Sequence, residues 1–223
     1  MIPGQPTRLG DYVVNIFSRV LCITAASLSV TLSSSAAAAP KPEPSRALQI
    51  VDAVWRVQSL RFAYSGYATV YSCDSLLEKV RDILQVLGAR ETMRIRSWGC
   101  TDMLTHGFME IRLESPVEAT PENVQALTTY DSTQQLVARV RNERLDRAEE
   151  LARFPATWKT ISMKEKPLKL GASDCELVEQ LRRDVFPRMS IRVERDRLRC
   201  SVAFGNLGQP QLRVAALVAV PET

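Results

Sequence analysis

Apolar side chains recur every three or four positions at Leu76, Val80, Ile83, Leu84 and Leu87, and again at Leu177, Val178, Leu181 and Val185. That spacing gathers them on one stripe of an α-helix. After each stripe the period drops to two. Residues 93–98 (Met-Arg-Ile-Arg-Ser-Trp) and 189–194 (Met-Ser-Ile-Arg-Val-Glu) alternate apolar and polar side chains, the pattern of a half-buried strand. Residues 108–113 and 211–218 predict one more strand after each. Ahead of the first helix, residues 60–64 and 67–71 flank Ser65-Gly66, a hairpin turn signal; residues 157–163 take the equivalent place before the second. The chain therefore predicts strand–helix–strand–strand twice. The fold class expected is α+β, with mixed sheets and the helices packed on one face.

Local signals support both helices. Ser75 with Glu78, and Ser173 with Glu176, have the spacing of a capping box. Gly88 suits a left-handed residue ending the first helix, and Pro187 stops the second. Counting from Cys73 and from Cys175, Arg-Asp falls at the same offset (Arg81-Asp82 and Arg183-Asp184), each time before two apolar residues. The match suggests duplication of one module.

The N-terminus follows another logic. Arg8 and Arg19 precede an uncharged run over residues 20–32, and Ser33-Ser34-Ser35-Ala36-Ala37-Ala38-Ala39-Pro40 follows. A basic start, a short apolar run and a small-residue exit describe a secretory signal peptide. The run is shorter than the about 20 residues that cross a bilayer. Cleavage is expected after Ala38, because proline is unfavourable just past the scissile bond. Nothing after Pro40 is apolar for long enough to span a membrane. The organisation expected is a signal peptide at 1–38, a flexible lead-in at 39–46, a first α+β repeat at 47–116, a connector at 117–155 and a second repeat at 156–223. Within the connector, residues 121–123 open a short helix after Thr120, residues 135–141 suit either strand or helix, and residues 145–154 read as a charged helix.

Export changes how the cysteines are read. Of five, Cys22 leaves with the signal, and Cys73, Cys100, Cys175 and Cys200 remain. An even number in an oxidising compartment favours two disulfides over thiols or a metal site. There is no Cys-x-x-Cys, and a lone histidine cannot complete a Cys2His2 zinc set. If each helix connects two strands running the same way, both strands end at one edge of the sheet, and the cysteines just past those ends come together. The pairings expected are Cys73–Cys100 and Cys175–Cys200. The protein is then periplasmic or secreted.

Charge excludes more than it suggests. Arg8, Arg19 and Asp11 leave with the signal, so 29 basic and 25 acidic side chains become 27 and 24, a net charge of +3. That is too mild for a nucleic-acid partner, whose binders gather Lys and Arg on one face. Lys164, Lys166 and Lys169 are interrupted by Glu165 and read as a solvated loop. His106 has no partner nearby in sequence. Gly-x-Ser-x-Gly, Ser-x-x-Lys, His-Glu-x-x-His and glycine-rich phosphate loops are absent, so no catalytic residue, cofactor or metal is assigned. Glu149-Glu150 and Glu176 with Glu179 read as solvated or capping acids. Tyr64, Tyr67, Trp98 and Trp158 are the candidate binding surface, since aromatic side chains on strands can line a groove.

Tyr71-Ser72-Cys73-Asp74-Ser75-Leu76, Leu87-Gly88-Ala89-Arg90 and Asp174-Cys175-Glu176-Leu177-Val178-Glu179-Gln180-Leu181 resemble a group of small exported proteins of Gram-negative bacteria. The resemblance covers roughly residues 55–220 apart from the connector. It implies export and four paired cysteines, and carries no known activity and no catalytic residue. The expected function is a non-enzymatic envelope module that binds another envelope protein or a cell-wall component. The second expectation is a periplasmic hydrolase or glycan-processing enzyme built from scattered acids, and the third a small-ligand carrier using the aromatic strands.

Overall fold

In the computed structural model, which describes residues 49–99, 103, 105–200 and 208–221, the period-two stretches pair into one six-stranded sheet. Its strands are β1 (Ile50–Ser65), β2 (Arg94–Trp98), β3 (His106–Glu118), β4 (Arg153–Ser162), β5 (Ile191–Asp196) and β6 (Leu212–Ala219), in the order β2-β3-β1-β4-β6-β5. Every pairing is antiparallel, so the expectation of a mixed sheet is corrected. The two strands joined by each helix do run the same way, but a third strand lies between them: β3 separates β1 from β2, and β6 separates β4 from β5. The interposed strand supplies antiparallel ladders on both of its sides.

Helix α1 (Cys73–Val86) is capped by Ser72, whose side chain accepts from Ser75 N at 3.2 Å. The predicted box at Ser75 and Glu78 therefore lies one turn too late. Gly88, at φ 98°, ends the helix: Gly88 N donates to Gln85 O and Ala89 N to Leu84 O. A Cβ on Gly88 would meet Leu217 O at 2.4 Å, so both the left-handed backbone and the close approach require glycine. Helices α2 (Pro121–Thr128), α3 (Ser132–Arg141) and α4 (Cys175–Asp184) complete the helical elements among the described residues.

Several local expectations change. Residues 66–72 form a loop after β1 and not the second arm of a hairpin, because Gly66 N donates to Thr105 O at 2.7 Å and the chain turns away towards α1. β1 is also much longer than its 60–64 segment implied. The connector is helical at 121–128 and 132–141, yet residues 143–152 form no helix and β4 begins at Arg153. Ser173 caps nothing: residues 172–174 make a 3-10 turn leading into α4, and Glu176 serves a distant loop described below.

The helix-side core contains Leu60, Phe62 and Tyr64 of β1, Met109, Ile111 and Leu113 of β3, and Val214 and Ala216 of β6. They meet Leu76, Val80, Ile83 and Leu84 of α1 and Leu177, Val178 and Leu181 of α4 in one cluster. Burying each such side chain stabilises the fold by about 1.5–3 kcal/mol. Both stripes are thus spent on one face of the sheet.

The expected Cys175–Cys200 disulfide is present, with Cα atoms 5.4 Å apart. Cys100 lies outside the described residues, and with it the expected Cys73–Cys100 pairing. The signal peptide and the lead-in lie outside them too. Among the described residues no helix is long and apolar enough to cross a membrane.

Candidate functional site

Strand alternation decides which side chains face away from the helices. On β1 they are Ala53, Trp55, Val57, Ser59, Arg61 and Ala63; the register places Pro116, Glu114, Arg112, Glu110 and Phe108 of β3 beside the last five. On β2, Arg94 pairs with Arg112, Arg96 with Glu110 and Trp98 with Phe108. This face therefore carries three rows of side chains across three strands: Trp98–Phe108–Ala63, Arg96–Glu110–Arg61 and Arg94–Arg112–Ser59. Trp98 is 53% and Phe108 64% exposed. Two side chains of that size left half open side by side are the kind of exposed apolar patch that marks an interaction site.

Two depressions lie on the same face. One of about 280 Å³ is lined by Val57, Thr92, Arg94, Arg112 and Glu114. A second of about 180 Å³ is lined by Ser59, Arg94, Arg96, Glu110 and Arg112. Arg94 and Arg112 line both, so the two adjoin on the face formed by β2, β3 and β1. Glu114, which lines the first, pairs with Arg90 at 2.7 Å, and Arg90 lies over the Trp55 ring at 4.6 Å. Trp55 in turn stacks on Phe154 at 4.4 Å.

The four aromatic candidates do not assemble. Tyr64 is 1% exposed in the helix-side core, where its hydroxyl donates to Thr69 O at 3.1 Å. Tyr67 stands 89% exposed in the loop after β1. Trp158 shares the open face with Trp98 but is held: its Nε1 donates to Glu118 at 2.6 Å, and the Arg192 guanidinium covers its ring at 3.8 Å. Counted along the paired strands, Trp98 is level with Ala63 and Trp158 lies beyond Ile50. At about 3.3 Å per residue that is more than 40 Å. No single ligand group spans it.

Nor do the acid pairs converge. Glu176, 5% exposed, accepts from three successive amides, Tyr67 N, Ala68 N and Thr69 N, at 3.2–3.3 Å, while Glu179 faces solvent. Glu150 pairs with Arg144 and Glu149 is exposed. Beside Glu176, the buried Asp174 accepts from the Tyr71 hydroxyl at 2.9 Å and pairs with Lys79 at 3.0 Å. Burial first, and then the Asp174 charge and hydrogen bond, push the Tyr71 hydroxyl far above its usual range; burial first and then Glu176 do the same to Tyr64. These groups fasten α4 to the loop after β1. His106 is exposed at the first position of β3, with Nδ1 3.0 Å from Thr105 Oγ1. No group of three or more His, Cys, Asp or Glu among the described residues could hold a metal ion.

Arg94, Arg96 and Arg112, which line the depressions, and the exposed Phe108 were not singled out from the chain. The signal was present in part, since residues 93–98 and 108–113 each show which side chains share a face. Only the β2–β3 register shows that the two faces join. Compared with protein-family models, curated proteins and solved structures, the chain matches none.

Proposed function

We propose that the protein is an exported, non-enzymatic binding module of the cell envelope, and that it holds its partner on the open face of β2, β3 and β1. The observation that carries this is the contrast between the two sides of the sheet. One is filled by α1 and α4, while the other leaves Trp98 and Phe108 exposed on the face that holds both depressions. The Cys175–Cys200 bond supports export, because such bonds persist in oxidising compartments. Residues 1–38 act as the signal peptide in this reading. A second bond joins Cys73 to Cys100; Cys73 Sγ stands 3.7 Å from Ser97 Oγ, three positions before Cys100.

Duplication of one module belongs to the same proposal. Each half runs strand–helix–strand–strand with the last strand inserted centrally. Trp55 of β1 and Trp158 of β4 each lie beneath an arginine that pairs with a glutamate, Arg90 with Glu114 and Arg192 with Glu118.

The test is a photo-crosslinking residue placed at position 98 in the exported protein, with the same residue at the exposed helix position 179 as control. A discrete envelope product at 98 and none at 179 is expected. Equal yields from both positions would remove the open face as the binding surface.

A further inference from the structure

At the end of the sheet where β1 and β2 finish and β3 begins, large apolar side chains stand open. Ser65 pairs with His106 and Trp98 with Phe108, and Gly66 N donates to Thr105 O at 2.7 Å. The loop after β1 therefore meets the start of β3 here. Besides Trp98 and Phe108, this end carries Tyr67, 89% exposed, Val70, 46%, and, on the β2–β3 connection, Met103, 74%. Charge is scarce in the same place. Residues 62–73 and 97–109 hold one formal charge between them, at Asp102, in a chain that is 24% charged.

The backbone of the loop indicates the surroundings it suits. Ser65 N donates to Gln180, Gly66 N to Thr105 O, and the amides of Tyr67, Ala68 and Thr69 to Glu176. Every amide from Ser65 to Thr69 thus has an acceptor inside the protein, while the Tyr67 side chain stands in water. A Cβ on Gly66 would meet Thr69 O at 2.3 Å and Tyr64 Oη at 2.4 Å, so the loop closes tightly beneath Tyr67. A loop that stays in water can leave its donors to water. One withdrawn into a lipid boundary must match them internally, because an unmatched amide is costly there.

Other partners fit less well. None of these apolar side chains lines the depressions on the open face, so they are not walls of a small-ligand pocket. An extended peptide adds through free main-chain donors, and residues 65–69 offer none. Tyr67, Trp98 and Phe108, at 150–250 Å² for a whole aromatic side chain, expose roughly 300–500 Å². That is short of the about 800 Å² that each side of a stable protein complex buries. A bilayer surface asks for neither a pocket nor hydrogen bonds. It takes projecting apolar side chains, with Trp and Tyr at the level of the headgroups. Just outside the two segments charges resume with both signs, at Asp74, Arg96 and Glu110, so apolar insertion and not attraction to anionic headgroups drives the contact.

We propose that this end of the sheet is a membrane-docking tip, in which Tyr67, Trp98, Met103 and Phe108 enter the boundary between headgroups and acyl chains of a lipid bilayer. It goes beyond the open-face reading, with which it shares only Trp98 and Phe108.

Co-sedimentation of the exported protein with vesicles tests it, using phosphatidylcholine alone and phosphatidylcholine mixed with phosphatidylglycerol. Binding to both is expected, changing little between about 0.1 and 0.5 M salt. Tyr67→Ser with Phe108→Ser should lower partitioning about tenfold or more. The melting temperature should hold, since both side chains are already exposed. Tyr67→Trp should keep the binding. Brominated lipid should quench tryptophan fluorescence in the wild type, and Trp98→Phe should abolish the quenching while it still binds. Binding that survives the double serine variant would place lipid attachment elsewhere in the chain and overturn the tip. Binding confined to the anionic vesicles and abolished by salt would overturn insertion in favour of surface charge. A protein crosslinked at position 98 with no vesicle binding would overturn the lipid partner and leave the open face standing. Vesicle binding lost in the serine variant, with equal crosslinking from positions 98 and 179, would support the tip and remove the open face. Silence in both experiments would remove both.

Discussion

The side-chain amide of Gln180 pairs with both backbone groups of Ser65: Ser65 N donates to Oε1 and Nε2 donates to Ser65 O, each at 2.8 Å. One glutamine of α4 thus takes the place of a neighbouring strand at the end of β1, where β4 no longer reaches. Gln180→Ala strips both partners from a partly buried peptide unit. It should lower stability by about 1–2 kcal/mol in urea unfolding. Gln180→Glu should not rescue it, because a carboxylate cannot donate to Ser65 O. Full stability in either variant would show that water replaces the amide without cost.

Glu176 does the same work for the next turn of chain. Its carboxylate is the shared acceptor for Tyr67, Ala68 and Thr69 amides. Glu176→Ala leaves three donors unmatched, and the expected loss is about 3 kcal/mol. Amide exchange at residues 67–69 should accelerate more than in the sheet, which a general loss of stability would not produce.

Alkaline pH should unfold the protein early. The Tyr64 and Tyr71 hydroxyls are held far above their ordinary value near 10, by burial first and by Glu176 and Asp174 second. A raised folded-state value means that the native state keeps its proton when the unfolded chain loses it. Stability from these two groups is complete below pH about 10 and falls as pH rises above it. Tyr71→Phe should lower stability at neutral pH, through the lost bond to Asp174, and flatten the decline above pH 10. A decline of unchanged steepness would count against Tyr71 as its source.

The Cys175–Cys200 bond closes a span of 25 residues. On the loop-entropy model it stabilises the fold by roughly 3.5 kcal/mol. The paired alanine variant should melt roughly 10 °C lower and retain the same circular dichroism at low temperature. An unchanged melting temperature would mean that α4 and the strand before Cys200 hold together unaided.

What was legible along the chain followed from local physics. The stripes at Leu76–Leu87 and Leu177–Val185 predicted α1 and α4 because a helix repeats every 3.6 residues. The alternation at 93–98 predicted β2, and Gly88 marked the end of a helix, because backbone geometry imposes these patterns on short windows. Residues 145–154 misled, since charged residues with high helical propensity are overruled when Arg153 and Phe154 can pair with Val54 and Ala53. A net charge of +4 likewise says nothing of which charged side chains share a face, for composition carries no information about which strands become neighbours.

The amino-acid order by itself determined two amphipathic helices, their flanking strands and the position of the cysteines. Tertiary structure alone decided that β3 and β6 insert between the strands they follow, because ladder pairing links residues far apart and no window contains both partners. That one choice of neighbours set Arg94 against Arg112 and Trp98 against Phe108, and so joined on one face side chains from two strands that each looked ordinary.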